Sequence, residues 1–182
     1  MFKKITIAGL IAMSASLASA ADYVSIDVDH VKSLQGYGNS QAQYIRAGKE
    51  IAGIQFGLQS RTSVANSGGM FNSLELTGGK TFGAFSPFTG IGHDNGANGA
   101  KGQAYTYGLV GVTTGKPIGP GFALVGAKTR TFSDEAKRTK QTVVFGTYSI
   151  PLTKTVAVNL NASKSYQDIR ENAYGVGLSF NF

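Results

Sequence analysis

Apolar and polar residues alternate with a period of two along most of this chain. Tyr174, Val176, Leu178, Phe180 and Phe182 alternate with Gly175, Gly177, Ser179 and Asn181. Val24, Ile26 and Val28 alternate with Ser25, Asp27 and Asp29, and Ile54, Phe56 and Leu58 with Gln55, Gly57 and Gln59. Val156, Val158 and Leu160 alternate with Ala157, Asn159 and Asn161. Successive side chains of a strand point to opposite faces of a sheet, so this pattern predicts strands that each have one apolar face. Beyond residue 20 no segment keeps the helical period and no apolar run is long enough for a transmembrane helix.

The alternation predicts ten strands, near 23–32, 41–49, 53–62, 70–79, 85–93, 104–114, 122–132, 141–150, 155–165 and 172–182. Most have the roughly 9–11 residues that cross a bilayer at a tilt. The connectors 33–40, 63–69, 94–103, 133–140 and 166–171 are rich in Gly, Asn, Ser and charge, whereas 50–52, 80–84, 115–121 and 151–154 are mostly shorter. Pro87, Pro117, Pro120 and Pro151 fall in or just after the short set, as expected of residues that cannot donate to a ladder. Alternating long and short connectors describe an up-and-down antiparallel meander. The fold expected is an all-β barrel of ten strands, with eight as the alternative.

The N-terminus follows a different pattern. Met1-Phe2-Lys3-Lys4 is a positive stretch, Ile5 to Ala15 is apolar, and Ala18-Ser19-Ala20 has small residues at the cleavage positions Ala18 and Ala20. That order is a secretory signal peptide. The domains expected are a signal peptide over 1–20 and a barrel over 21–182. Of the net charge of +7, Lys3 and Lys4 account for two; the remainder carries 15 basic and 10 acidic residues. Those basic residues are scattered rather than interleaved with aromatics, so nucleic acid is not an expected partner.

Composition decides which face of the barrel is outside. Charged residues are 15% of the chain, against about 25% in ordinary soluble domains. The face opposite the apolar one is mostly Gly, Ser, Thr, Asn and Gln. A soluble lipocalin-type binder would turn its apolar face inward and clothe the outer one in Lys and Glu. Small neutral residues instead suit a crowded, hydrated lumen, with the apolar face toward lipid. The 25 glycines have no collagen period. Gly57, Gly79, Gly90, Gly92, Gly108, Gly126, Gly146, Gly175 and Gly177 are read as lumen-side residues that relieve crowding and permit curvature.

Export, an even number of amphipathic strands and the closing row Tyr174-x-Val176-x-Leu178-x-Phe180-x-Phe182 resemble a small bacterial outer-membrane β-barrel of the porin-like superfamily. The row is similar to the C-terminal signal recognised by the outer-membrane assembly machinery. The resemblance implies residence in the bacterial outer membrane, contact with its lipid and lipopolysaccharide, and passage by periplasmic chaperones. It also implies aromatic girdles, for which Tyr23, Tyr44, Tyr105, Tyr107, Phe122, Tyr148, Tyr166 and Phe182 are the candidates, although the chain has no Trp.

With the polar face inward, Asp27, Asp29, Arg46, Arg61, Glu75, Lys128 and Arg130 converge on the lumen. Opposed acids and bases can form a pore constriction that selects ions by charge. The same set can instead be an internal salt-bridge network that fills a narrow barrel. Three readings stay open: a narrow channel for ions or small solutes, a non-conducting structural or surface-interaction barrel, and, with the faces inverted, a soluble periplasmic lipocalin-type binder. An enzyme is not expected, because neither His30 nor His93 shares a strand face with a nearby nucleophile or carboxylate. No cofactor is expected, and no metal, since the chain has no Cys and two His. The loop 133–140 is the most charged segment, and its Lys137, Arg138 and Lys140 are candidates for lipopolysaccharide phosphates; a solvated loop is the alternative.

Overall fold

The computed structural model describes residues 22–34, 38–66, 69–95, 104–133 and 140–182, in which all regular structure is strand. The expected signal peptide and the central part of the 133–140 loop, including Lys137 and Arg138, lie outside the described residues. The strands are β1 (Tyr23–Ser33), β2 (Asn39–Ile51), β3 (Ile54–Ala65), β4 (Met70–Gly79), β5 (Phe85–Asp94), β6 (Tyr105–Ile118), β7 (Gly121–Phe132), β8 (Lys140–Pro151), β9 (Val156–Gln167) and β10 (Glu171–Asn181). Each pairs antiparallel with its neighbours in sequence, and β1 pairs with β10 from Tyr23↔Asn181 to Ser33↔Glu171. The sheet is therefore a closed ten-strand up-and-down barrel. Closure leaves no unpaired edge to be satisfied.

Short connectors 52–53, 80–84, 119–120 and 152–155 gather at one end, the turn end; the remaining connectors form the loop end. Ala52 and Gly53 have φ of 52° and 76°, the positive pair that a two-residue type I′ hairpin requires. The connector expected over 115–121 is only 119–120, because β6 runs through Pro117, which pairs with Phe122. The ladder between β5 and β6 ends at Phe85↔Thr114, so Pro117 lies where β6 has no partner on that side and a missing N–H costs little. On the loop end, 168–170 is a three-residue connector rather than the longer segment the sequence suggests.

The barrel is inside-out. Apolar residues face outward around it, from Val28 on β1 through Leu76, Ile91, Val110, Val125, Val144 and Leu160 to Val176 and Leu178 on β10. Ser25, Asp27, Asp29, Ser63, Glu75, Gln141, Asn159 and Ser165 are buried. Two expectations fail. Of the girdle candidates, Tyr23, Tyr44 and Phe122 line the lumen, and Tyr105 and Tyr107 pack in an interior cluster; by strand alternation Tyr148, Tyr166 and Phe182 face outward. Gly108 also faces outward, between the buried Tyr107 and Leu109, and Gly146 points toward the outer Val125. Both faces of β6 are apolar in its first half, so alternation there does not say which one is inside.

Candidate functional site

Two acidic centres organise the lumen, and each depends on a glycine gap. Glu75 on β4, Gly92 on β5 and Tyr107 on β6 lie in one row across three strands. A Cβ on Gly92 would fall on the Tyr107 ring. Its absence lets Tyr107 lie across β5 and donate from its hydroxyl to Glu75 Oε2 at 3.3 Å. From β7, Arg130 Nη2 donates to the same oxygen at 2.7 Å, and Lys128 Nζ pairs with Oε1. Lys128 and Arg130 are two residues apart, so strand geometry places both on the lumen face. Gln141 on β8 accepts from Arg130 Nη1 at 3.0 Å. The guanidinium also lies 5.0 Å from the centre of the Tyr107 ring.

The second centre repeats the device. Asp27 and Asp29 on β1 sit opposite Gly177 and Gly175 on β10, which in turn sit opposite Asn159 and Asn161 on β9. A side chain at either glycine would meet the aspartate beside it. Through that gap Asn161 Nδ2 donates to Asp27 Oδ1 at 2.8 Å. Ser25 donates to Asp27 Oδ2 at 2.9 Å, and Arg46 on β2 forms an ion pair with it. Arg46 Nε also donates to Gln59 at 2.9 Å, and its guanidinium stacks 4.5 Å from the Tyr44 ring centre. Glu75 and Asp27 thus gain donors that offset the cost of removing them from bulk water.

Of the seven residues singled out from the sequence, all face the lumen and line its cavity. Asp27 is joined to Arg46, Glu75 to Lys128 and Arg130, and Arg61 to Glu171 at 3.8 Å. Asp29 is apart from these pairs: it is 5% exposed and its Oδ1 meets no donor. Glu171 is missed by the sequence reading because β10 starts one residue earlier than the alternation suggests. Tyr107, Gln59, Gln141 and Asn161 are missed because nothing in a local period identifies partners contributed by distant strands. The row Tyr174, Val176, Leu178 and Phe180 lies on the outer face of β10 by alternation, and Phe182 follows it, its N–H bonded to Asp22 O at 3.0 Å.

The Glu75 centre is also a partition. It ties β4 to β7 across the lumen, and under the intervening β5 and β6 the interior is packed with Tyr107, Leu109 and Phe132, joined by Phe88, Tyr105 and Ile169. The open space lies beside this packing and continues under the turn-end half of β5 and β6, at Ser86, Phe88 and Thr113. It is a cavity of about 850 Å³ bounded by Asp22, Glu50 and Asn181 toward the turn end and by Gln141, Ser165 and Glu171 toward the loop end. Its wall carries the charges of both centres, with Ser, Thr, Asn and Gln between them.

No family model matches the chain, and no curated protein matches it in sequence. Solved structures do match. The translocator domain of autotransporter NalP from Neisseria meningitidis is 11% identical, with a TM-score of 0.56 and 97% of each chain covered. Neisserial surface protein A is 15% identical, with a TM-score of 0.47, covering 88% of this chain and 96% of that one. KdgM porin is 14% identical, with a TM-score of 0.44, covering 87% and 99%. In fold, this chain is similar to bacterial outer-membrane β-barrels.

Proposed function

We propose that the chain is an outer-membrane barrel whose lumen is a narrow, charge-lined path for ions or small polar solutes. The observation that carries this reading is the 850 Å³ cavity, polar along its wall and extending from turn-end to loop-end residues beside the Glu75 partition. Ten strands enclose more than the eight whose side chains just fill a barrel, and far less than a 16-stranded porin. A small conductance therefore suits the geometry, and a wide channel does not. The apolar outer surface supports placement in a bilayer, because hydrocarbon offers no partners for polar groups. The row from Tyr174 to Phe182 is proposed as the strand read by the assembly machinery, after export by the segment over 1–20.

A second reading has its own support. The ion pairs that cross the lumen and the aromatic packing under β5 and β6 also suit a closed, structural barrel. Planar-bilayer recording separates the two. Discrete current steps that scale with salt are expected of the path; silence at every voltage and salt concentration would leave the structural reading. Placement is tested independently. Heat-modifiable migration and detergent-dependent extraction with the outer membrane are expected, and release by osmotic shock would contradict it.

A further inference from the structure

The lumen turns its acceptors into the wall and leaves donors toward the open space. Ser25 on β1, Arg46 on β2, Gln59 on β3 and Glu75 on β4 form one row of the ladder. The Nε–H of Arg46 can only donate, so Gln59 presents its carbonyl Oε1 to it. The amide NH2 of Gln59 has no partner among the described residues, and it is not sealed from the cavity that Gln59 lines. Gln141 is turned the same way, its Oε1 taken by Arg130. Asn159 Oδ1 accepts from Ser149 and Ser179, and Asn161 Oδ1 from Thr147. The acids are withdrawn as well. The side chains of Asp27 and Glu75 are 1% and 5% exposed, whereas those of their partners Arg46 and Lys128 are 28% and 11% exposed. Asp29 is buried against Gly175. A solute in the middle of the lumen therefore meets N–H groups before it meets carboxylate oxygen.

These donors converge on one place. Glu75 sits beside Gln59 in the row, and Lys128 reaches it from β7, so its Nζ closes the row opposite Arg46. Arg46 and Lys128 repel each other there, as Arg61 and Arg130 do. Two partly exposed like charges with an unused NH2 between them are complementary to an anion that accepts from all three. A metal cation finds no unengaged carboxylate or amide oxygen in this row: Asp27, Glu75 and Gln59 already accept from the wall. We propose that Arg46, Gln59 and Lys128 form a binding site for one small oxyanion, a carboxylate or phosphate group, and that the lumen favours anionic solutes. The preference for anionic solutes rests on the path proposed above; the site itself does not.

The NMR line width of inorganic phosphate, titrated with the folded full barrel in non-ionic detergent at fixed ionic strength, tests the site without any current. Saturable broadening by one site is expected. Gln59→Glu keeps an oxygen for Arg46 and replaces the free NH2 with a second carboxylate oxygen. It should weaken phosphate binding by about tenfold, the scale of one hydrogen bond to a charged group. Gln59→Met removes the donor without adding charge and should weaken binding as well. Gln55→Glu adds the same charge to the same cavity about 13 Å away along β3 and should bind as the parent does. Equal loss in Gln55→Glu and Gln59→Glu would mean general repulsion of anions and would overturn the site. So would parent broadening that never saturates, or undiminished binding in Gln59→Met. Heat-modifiable migration confirms that each variant is folded. In planar bilayers under a potassium chloride gradient, the parent's reversal potential should lie on the anion side, and one on the cation side would overturn the preference. Saturable phosphate binding without current would remove the path and leave the site standing.

Discussion

Arg130 Nη2 donates to Glu75 Oε2 at 2.7 Å across the barrel interior, although 55 residues separate the two in sequence. The bond joins β7 to β4 over two intervening strands, and it separates the Tyr107–Leu109–Phe132 packing from the open cavity beside it. Removing the carboxylate while keeping the shape leaves Lys128 and Arg130 facing each other without an acid. Glu75→Gln is therefore expected to destabilise the folded barrel by about 3 kcal/mol. The measurement is the urea midpoint of refolding into lipid vesicles. A midpoint equal to the parent's would mean that the pair contributes nothing to stability.

Ion selectivity should follow the same residues. Lys128→Gln with Arg130→Gln removes two lumenal positive charges and leaves Glu75, Asp27, Asp29 and Glu171 in the wall. Under a salt gradient, the reversal potential is expected to move toward cation preference. An unmoved reversal potential would take the path away from this centre.

Glycine positions give a paired test of the lumen geometry. A Cβ on Gly177 would land on the Asp27 carboxylate, whereas one on Gly108 has nothing within 4 Å. Gly177→Ala is expected to cost about 1–3 kcal/mol through overpacking. Gly108→Ala should leave the refolding midpoint where it is. Equal effects at the two positions would contradict the placement of Asp27 against β10.

Much of this was legible in the chain itself, and the limit is physical. Period two locates strands and assigns faces, so Asp27, Asp29 and Glu75 could be placed toward the lumen from their immediate neighbours. It carries no information about which strand lies opposite, so the ties from Glu75 to Arg130 and from Asp27 to Asn161 had no local signature. Gly92 and Gly177 read as relief of crowding, but their specific use as gaps under Tyr107 and Asp27 depends on register. Alternation also misleads where both faces are apolar, as at Tyr107 to Val110 on β6. Tyr44, Tyr105 and Tyr107 suggested a girdle because aromatic residues near strand ends suit either face. Pro117 suggested a turn because the end of the β5 ladder beside it cannot be seen from one strand.

The outer face makes its own prediction. Val176 lies at the middle of β10 and is 58% exposed. On a water-facing surface, Val176→Arg would be nearly neutral. Facing the hydrocarbon midplane, it should cost about 2–4 kcal/mol in vesicle refolding. A neutral result would argue that this face does not meet lipid.

The proposed path takes ions through the lumen beside the Glu75 partition. Val143 and Val144 are adjacent on β8; Val143 lines the cavity, and Val144 is 47% exposed on the outer wall. The chain has no cysteine of its own, so a single introduced thiol is the only target for a methanethiosulfonate reagent. In planar bilayers, the reagent is expected to reduce the single-channel current of Val143→Cys and to leave that of Val144→Cys unchanged. Equal responses from the two neighbours, or current through Val143→Cys that the modified side chain does not impede, would contradict a path through this cavity.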